Sequence, residues 1–143
     1  MAKIKIIADD KNLERLQGFV HEELEAFCSD MKLLFQIDLV VEEIFVNIAH
    51  YAYAPDRGEA EIICDIKADN DSCPNMTLTF IDSGKAFDPL SVPEPDITLG
   101  ANERKIGGLG IFLTKKYMDK CRYEYRDGKN ILTLEKNLPS QKS

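Results

Sequence analysis

The chain has 143 residues, 44% of them hydrophobic, and carries a net charge of −7 with an isoelectric point near 4.9. That is enough apolar material for one buried core, expected as a single domain over 1–143, and the acidic balance argues against a nucleic-acid surface, which needs clustered Lys and Arg. No apolar run approaches the roughly 20 residues of a membrane span, and 1–10 lacks a signal peptide's apolar centre, so a cytosolic protein with no membrane contact is expected.

In chain order, the opening KIKIIAD alternates as a strand does. Asp9 or Asp10 then stands where it can cap a helix carrying Leu13, Leu16, Val20, Leu24 and Phe27 on one face. A second, longer helix is predicted over about 34–53, from Ile37, Val41, Ile44, Ile48 and Ala52 at helical spacing, and it stops near Pro55. Apolar runs at 60–68 and 76–81 flank the polar turn DNDSCPN and predict an antiparallel pair whose second strand delivers Asp82 to its end. Between 89 and 104 there are three prolines and no clear periodicity, which predicts a functional loop, read as a lid over about 89–106. Helical spacing resumes over 107–120 through Ile111, Leu113, Thr114 and Tyr117. CRYEYR and ILTLEK then form a hairpin around DGKN, and the tail 137–143 is expected to fray. Strands joined mostly as hairpins, mixed with helices, predict an α+β fold: a two-layer sandwich with a mixed, mostly antiparallel sheet and helices on one face.

The four cysteines, Cys28, Cys64, Cys73 and Cys121, are widely spaced with no CxxC pair, so they read as reduced thiols rather than a zinc site. Three other islands carry chemistry. In VEEIFVN, Glu43 and Asn47 lie four apart on the predicted helix and share a face; a carboxylate there can polarise a hydroxyl, and an amide oxygen can bind a hard cation such as Mg²⁺. In FIDSGKAFDP, Asp82 ends an apolar strand where its carboxylate can accept from an exocyclic amine, and Gly84 lets a flat ring approach the backbone. In IGGLGIF, Gly107, Gly108 and Gly110 stand where loop becomes helix, leaving backbone N–H groups to cradle phosphates, with Arg104 and Lys105 adding positive charge. The pattern is neither a P-loop nor GxGxxG, and HRD and DFG are absent. Singly, each island is also what a solvated helix face, an ordinary turn or a plain helix start would contain.

Taken in order, the islands resemble the N, G1 and G2 boxes of the GHKL ATPase and kinase superfamily, whose nucleotide site is the Bergerat fold. VEEIFVNIAHYAY, DSGKAFDP and GGLGIFL look most like the bacterial anti-sigma factor serine/threonine kinases of partner-switching pathways. The resemblance implies ATP and Mg²⁺ as cofactors, with Asn47 holding Mg²⁺ against the phosphates and Glu43 as general base for the attacking hydroxyl. It implies that Asp82 recognises the adenine amine, that Gly84 admits the base, and that Gly108, Gly110 and, more loosely, Lys105 meet the phosphates. It implies further that the protein phosphorylates a Ser or Thr on a small anti-sigma-factor antagonist, binds a sigma factor and forms a homodimer. The alternative is a nucleotide-loaded switch that sequesters its partner without phosphoryl transfer. The chain departs from the family at Tyr51-Ala52-Tyr53, where His-Ala-Tyr is usual, with His50 one place earlier; His50 reads as a packing or surface residue. The length leaves no room for a histidine kinase's dimerisation helices or a transducer domain, so a bare catalytic module is expected.

Overall fold

The structure is a computed structural model describing residues 1–68, 73–91 and 108–139, with 108–112 as backbone only. Strand β1 (Ala2–Ile7) is followed by a short 3-10 turn, Asp10–Asn12, and helix α1 (Leu13–Glu25). Helix α2 (Met31–Asn47) runs on into a π-helical turn, Ile48–Ala52. Strands β2 (Glu59–Lys67) and β3 (Asn75–Asp82), a 3-10 turn at Pro89–Ser91, helix α3 (Gly108–Tyr117) and strands β4 (Lys120–Arg126) and β5 (Lys129–Asn137) complete it.

The five strands form one sheet in the order β1-β2-β3-β5-β4, and all four described pairings are antiparallel. Alternation sorts the side chains onto two faces. Ala60, Ile62 and Cys64 of β2, Met76, Leu78 and Phe80 of β3, and Leu132 and Leu134 of β5 are buried on one face. Leu16, Val20 and Leu24 of α1 and Leu33, Ile37, Val40, Val41, Ile44 and Phe45 of α2 join them in one core. Burying each such large side chain is worth about 1.5–3 kcal/mol, so this two-layer α+β core holds the helices on the sheet.

Local chemistry explains where the element ends differ from the periodicity. The Asp30 side chain accepts from the Lys32 and Leu33 N–H groups at 3.0 and 3.5 Å, so α2 begins at Met31 rather than 34, with a first turn whose Met31 and Lys32 are exposed and leave no apolar signal. Asp9 caps the 3-10 turn ahead of α1 by accepting from Lys11 N–H. Leu13 and Phe27 flank the α1 face only half-buried. Helix α3 ends at Tyr117, three residues earlier than its periodicity suggests, because Lys120 already pairs with Glu135 in the sheet.

The β4–β5 turn is two residues long, with Asp127 at φ 55° and Gly128 at φ 75°, the left-handed pair that a tight hairpin requires. Fraying from 137 does not hold at its start. Asn137 N–H donates to Asp119 Oδ2 at 2.6 Å, Leu138 N–H donates to the Pro74 carbonyl at 2.8 Å, and Leu138 is buried in the core, which pins the strand's end. Residues 140–143 lie outside the described part, as do most of the DNDSCPN turn, 92–106 of the expected lid, Arg104, Lys105 and Gly107. Cys28 and Cys64 are buried, Cys121 is half-buried, Cys73 is exposed, and all four are free thiols. Among the described residues no helix is long and apolar enough to cross a membrane.

Candidate functional site

A cavity of about 430 Å³ opens between the last turns of α2, the end of β3, the start of β5 and the segment 85–89. Its walls combine apolar side chains such as Ile44, Phe80 and Leu132 with Asn47, Asp82 and Asn130. That volume and that mixture suit a small organic ligand.

Helix α2 supplies the first pair. Asn47 Nδ2 donates to Glu43 Oε1 at 3.3 Å, one helical turn away. An ionised carboxylate only accepts, so the amide nitrogen faces Glu43 and the amide oxygen is left for another partner. Glu43 is half-buried, and burial pushes its carboxyl above the ordinary value of 4.5; the Asn47 hydrogen bond opposes this and neighbouring Glu42 adds to it. A carboxylate so perturbed is a stronger base than an exposed one.

Strand β3 delivers the second group. Asp82 continues the inward series Met76, Leu78, Phe80 and is only 7% exposed. Its Oδ1 accepts from Gly84 N–H at 2.9 Å and from Asn130 Nδ2 at 2.9 Å, whereas Oδ2 has no hydrogen bond among the described residues. One carboxylate oxygen is tied into the fold, and the residue lines the cavity.

Asn130 is the group that sequence reasoning missed. It opens the inward series Asn130, Leu132, Leu134 of β5, sits directly opposite Asp82 in the β3–β5 register and is 7% exposed. Nδ2 also donates to the Lys85 carbonyl at 2.8 Å, and Oδ1 accepts from Phe87 N–H at 3.0 Å and from the Tyr123 hydroxyl. An amide at the inward position of an otherwise apolar strand was the available signal, because a buried polar side chain needs partners.

Gly84 also makes a close backbone contact within the fold. A Cβ there would collide with the carbonyl of Ala52, and that carbonyl also accepts from Lys85 N–H at 2.9 Å. The π-helical turn and the segment after β3 are therefore packed backbone to backbone. Tyr53 reinforces the junction: its hydroxyl accepts from Ser83 N–H and donates to the Glu59 carbonyl, each at 2.7 Å. Tyr51 lines the cavity and is partly exposed, while His50 turns away to pair with Asp10 at 2.7 Å on the surface.

Gly108 is the first residue of α3 and Gly110 lies in its first turn, so their backbone N–H groups belong to the end of a helix that lacks intrahelical acceptors. Helix α3 packs along α2. Lys115 of α3 donates to the Leu90 carbonyl at 2.7 Å, and Asp88 accepts from Leu90 N–H at 2.8 Å, which anchors Pro89–Ser91 at the entry to the expected lid. Lys105 lies outside the described residues. No group of three His, Cys, Asp or Glu side chains able to hold a metal occurs among the described residues.

The model of the histidine kinase-like ATPase domain family, HATPase_c_2, matches residues 6–136 and so takes in all of these groups. The chain belongs to that family. It is 29% identical over 103 residues to the serine/threonine-protein kinase BtrW of Bordetella bronchiseptica, covering 72% of this chain and 70% of that protein. The histidine kinase AdeS of Acinetobacter baumannii matches in structure with a TM-score of 0.50 at 13% identity, over 98% of this chain and 70% of that one, a likeness of fold alone. The chain is thus an ATP-binding domain of the GHKL, histidine kinase-like type, with the α+β architecture that the hairpin-rich pattern predicts.

The site's residues fit the two groups this family implies. A buried carboxylate oxygen with no hydrogen bond among the described residues, beside an apolar cavity, suits the amine of adenine. The amide oxygen of Asn47, without a hydrogen bond among the described residues, suits Mg²⁺, which takes one or two protein oxygens and fills its other positions with phosphate and water.

Proposed function

We propose that the protein is an ATP-dependent, Mg²⁺-requiring kinase that phosphorylates a Ser or Thr on a small antagonist protein and sequesters a regulatory partner, a sigma factor in the simplest case. The observation that carries this reading is the pairing of Glu43 with Asn47 beside the cavity that Asp82 floors. A carboxyl of raised pKa stands one helical turn from the neutral amide of Asn47, which lines the same cavity as Asp82. The relative whose name is serine/threonine-protein kinase supports a hydroxyl as acceptor.

In this reading Mg²⁺, when bound, neutralises phosphate charge. Asn47 holds it without adding a negative charge of its own, and the N–H groups of Gly108 and Gly110 meet the phosphates. Glu43 takes the proton of the attacking hydroxyl, and Asp82 Oδ2 accepts from the adenine amine. Positioning and electrostatics do most of the work of phosphoryl transfer, so this small set suffices for a slow regulatory enzyme.

The test incubates the protein with Mg²⁺, ATP labelled at the γ position and a small antagonist protein. Wild type transfers label, and Glu43→Ala does so about 10²–10⁴-fold more slowly while still binding ATP. ATP binding with no transfer to any antagonist would instead identify a nucleotide-loaded switch. Absence of ATP binding would refute both.

A further inference from the structure

We propose that Asn130, held in one orientation by Tyr123 and the Phe87 backbone, is a positioning residue that makes the cavity selective for a ligand amine by presenting a single oxygen of Asp82. The inference rests on the nucleotide-binding reading above and deepens it.

The argument starts from the hydrogen-bonding capacity of one amide. A side-chain amide has two N–H donors and two acceptor lone pairs. Both donors of Asn130 are used, on Asp82 Oδ1 at 2.9 Å and on the Lys85 carbonyl at 2.8 Å, and both acceptor directions are used, by Phe87 N–H at 3.0 Å and the Tyr123 hydroxyl. A backbone N–H only donates, so Phe87 compels Oδ1 to face it and Nδ2 to face Asp82. The network therefore has a direction that cannot reverse.

Tyr123 keeps its proton to supply its bond. Burial raises its phenol above the usual range, the Phe87 backbone contact opposes this, and Asp88 and Asp82 add to the rise. Asp82 in turn receives two donors on one oxygen, Gly84 N–H and Asn130 Nδ2. Asp82 lines the cavity, and its Oδ2 is an acceptor with no donor among the described residues. An exocyclic amine satisfies it, whereas a carbonyl oxygen in the same place sets lone pair against lone pair. Asn130 also fixes the carbonyl of Lys85 and the N–H of Phe87, so one side chain sets both the acceptor and the wall beside it.

The pattern requires an amide, with both donors and an acceptor on one side chain. Leucine in its place strands four polar partners, and aspartate sets a second carboxylate against Asp82. That second substitution gives the inference a signature that a merely structural residue lacks. In Asn130→Asp the two carboxyl groups face each other from β3 and β5, with the Tyr123 hydroxyl on β4, Phe87 N–H and the Lys85 carbonyl around them, while Lys85 lines the same cavity and Asp88 acts on Tyr123. One proton shared by the pair restores a donor to Asp82 as pH falls.

The experiment measures Mg²⁺-dependent affinity by calorimetry for ATP and for inosine triphosphate, the same nucleotide with a carbonyl oxygen in place of the amine. Wild type prefers ATP by about tenfold or more, the worth of one buried hydrogen bond made or missing, and the ratio is flat between about pH 6 and pH 8. Asn130→Asp loses most of that ratio near pH 8 and regains it toward pH 6, while Tyr123→Phe loses about threefold. A folded Asn130→Asp protein with the wild-type ratio at both pH values overturns the inference while leaving the nucleotide site standing. Failure of wild type to bind either nucleotide overturns the site reading and this inference with it.

Discussion

Gly84→Ala separates two reasons for a glycine beside Asp82, and the structure predicts a large loss of stability. The added Cβ would overlap the Ala52 carbonyl, which is backbone and cannot rotate aside. The collision either forces the 82–87 segment off the π-helical turn or breaks the 2.9 Å bond from Lys85 N–H to Ala52. Overpacking of this kind costs about 1–3 kcal/mol, and the lost hydrogen bond about 0.5–1.5 kcal/mol more. The chain-entropy gain of Gly→Ala, about 0.4–1 kcal/mol, offsets only part of this. A net loss of about 0.5–4 kcal/mol remains, and its middle value of about 2 kcal/mol lowers the Tm of a domain of this size by about 6–8 °C.

Gly18→Ala is the control, since Gly18 lies inside α1 and a Cβ there meets nothing within 4 Å. Helix propensity then predicts a gain of about 0.5–1 kcal/mol. Calorimetric melting of both variants without nucleotide checks the pair. A Gly84→Ala protein that melts within about 1 °C of wild type would refute the packing argument and leave close approach by a ligand as that glycine's purpose.

Glu43→Gln should raise the melting temperature of the nucleotide-free protein at neutral pH. A carboxyl whose folded pKa is raised binds its proton more tightly in the native state; it contributes stability below its ordinary value of 4.5 and loses it as pH rises through the folded value. The advantage of the glutamine variant should thus vanish in acid, and a pH-independent difference between the two proteins would contradict the burial of Glu43. Phe45→Ala, which empties a fully buried position on α2, should cost about 3–5 kcal/mol in urea unfolding, and a loss under about 1 kcal/mol would place the side chain outside the core. His50→Ala should change stability by less than about 1 kcal/mol, because its bond to Asp10 lies at the surface; a larger loss, or any large loss of phosphoryl transfer, would give His50 a role that its geometry denies it.

The candidate site was legible in the sequence wherever its chemistry is local. Glu43 and Asn47 meet because four residues make about one helical turn, and Asp82 points inward because strand side chains alternate after Met76. The hairpin turn at Asp127-Gly128 follows from residues that tolerate positive φ. The start of α2 was hidden because it is set by an Asp30 cap, with Met31 and Lys32 exposed to solvent ahead of the first buried residue, Leu33.

What the sequence by itself determined is therefore the set of elements, their inward faces and the three islands that mark the family, all of which are set by neighbours a few residues apart. Only the tertiary structure decided which oxygen of Asp82 is spent and which is left for a ligand. Asn130 is 48 positions away in the chain, and only the β3–β5 register sets it opposite Asp82. Gly84 against Ala52, and Tyr53 between Glu59 and Ser83, are likewise contacts between elements. Burial obliges such polar groups to find partners, and which partners they find is settled by how strands pair and how turns pack.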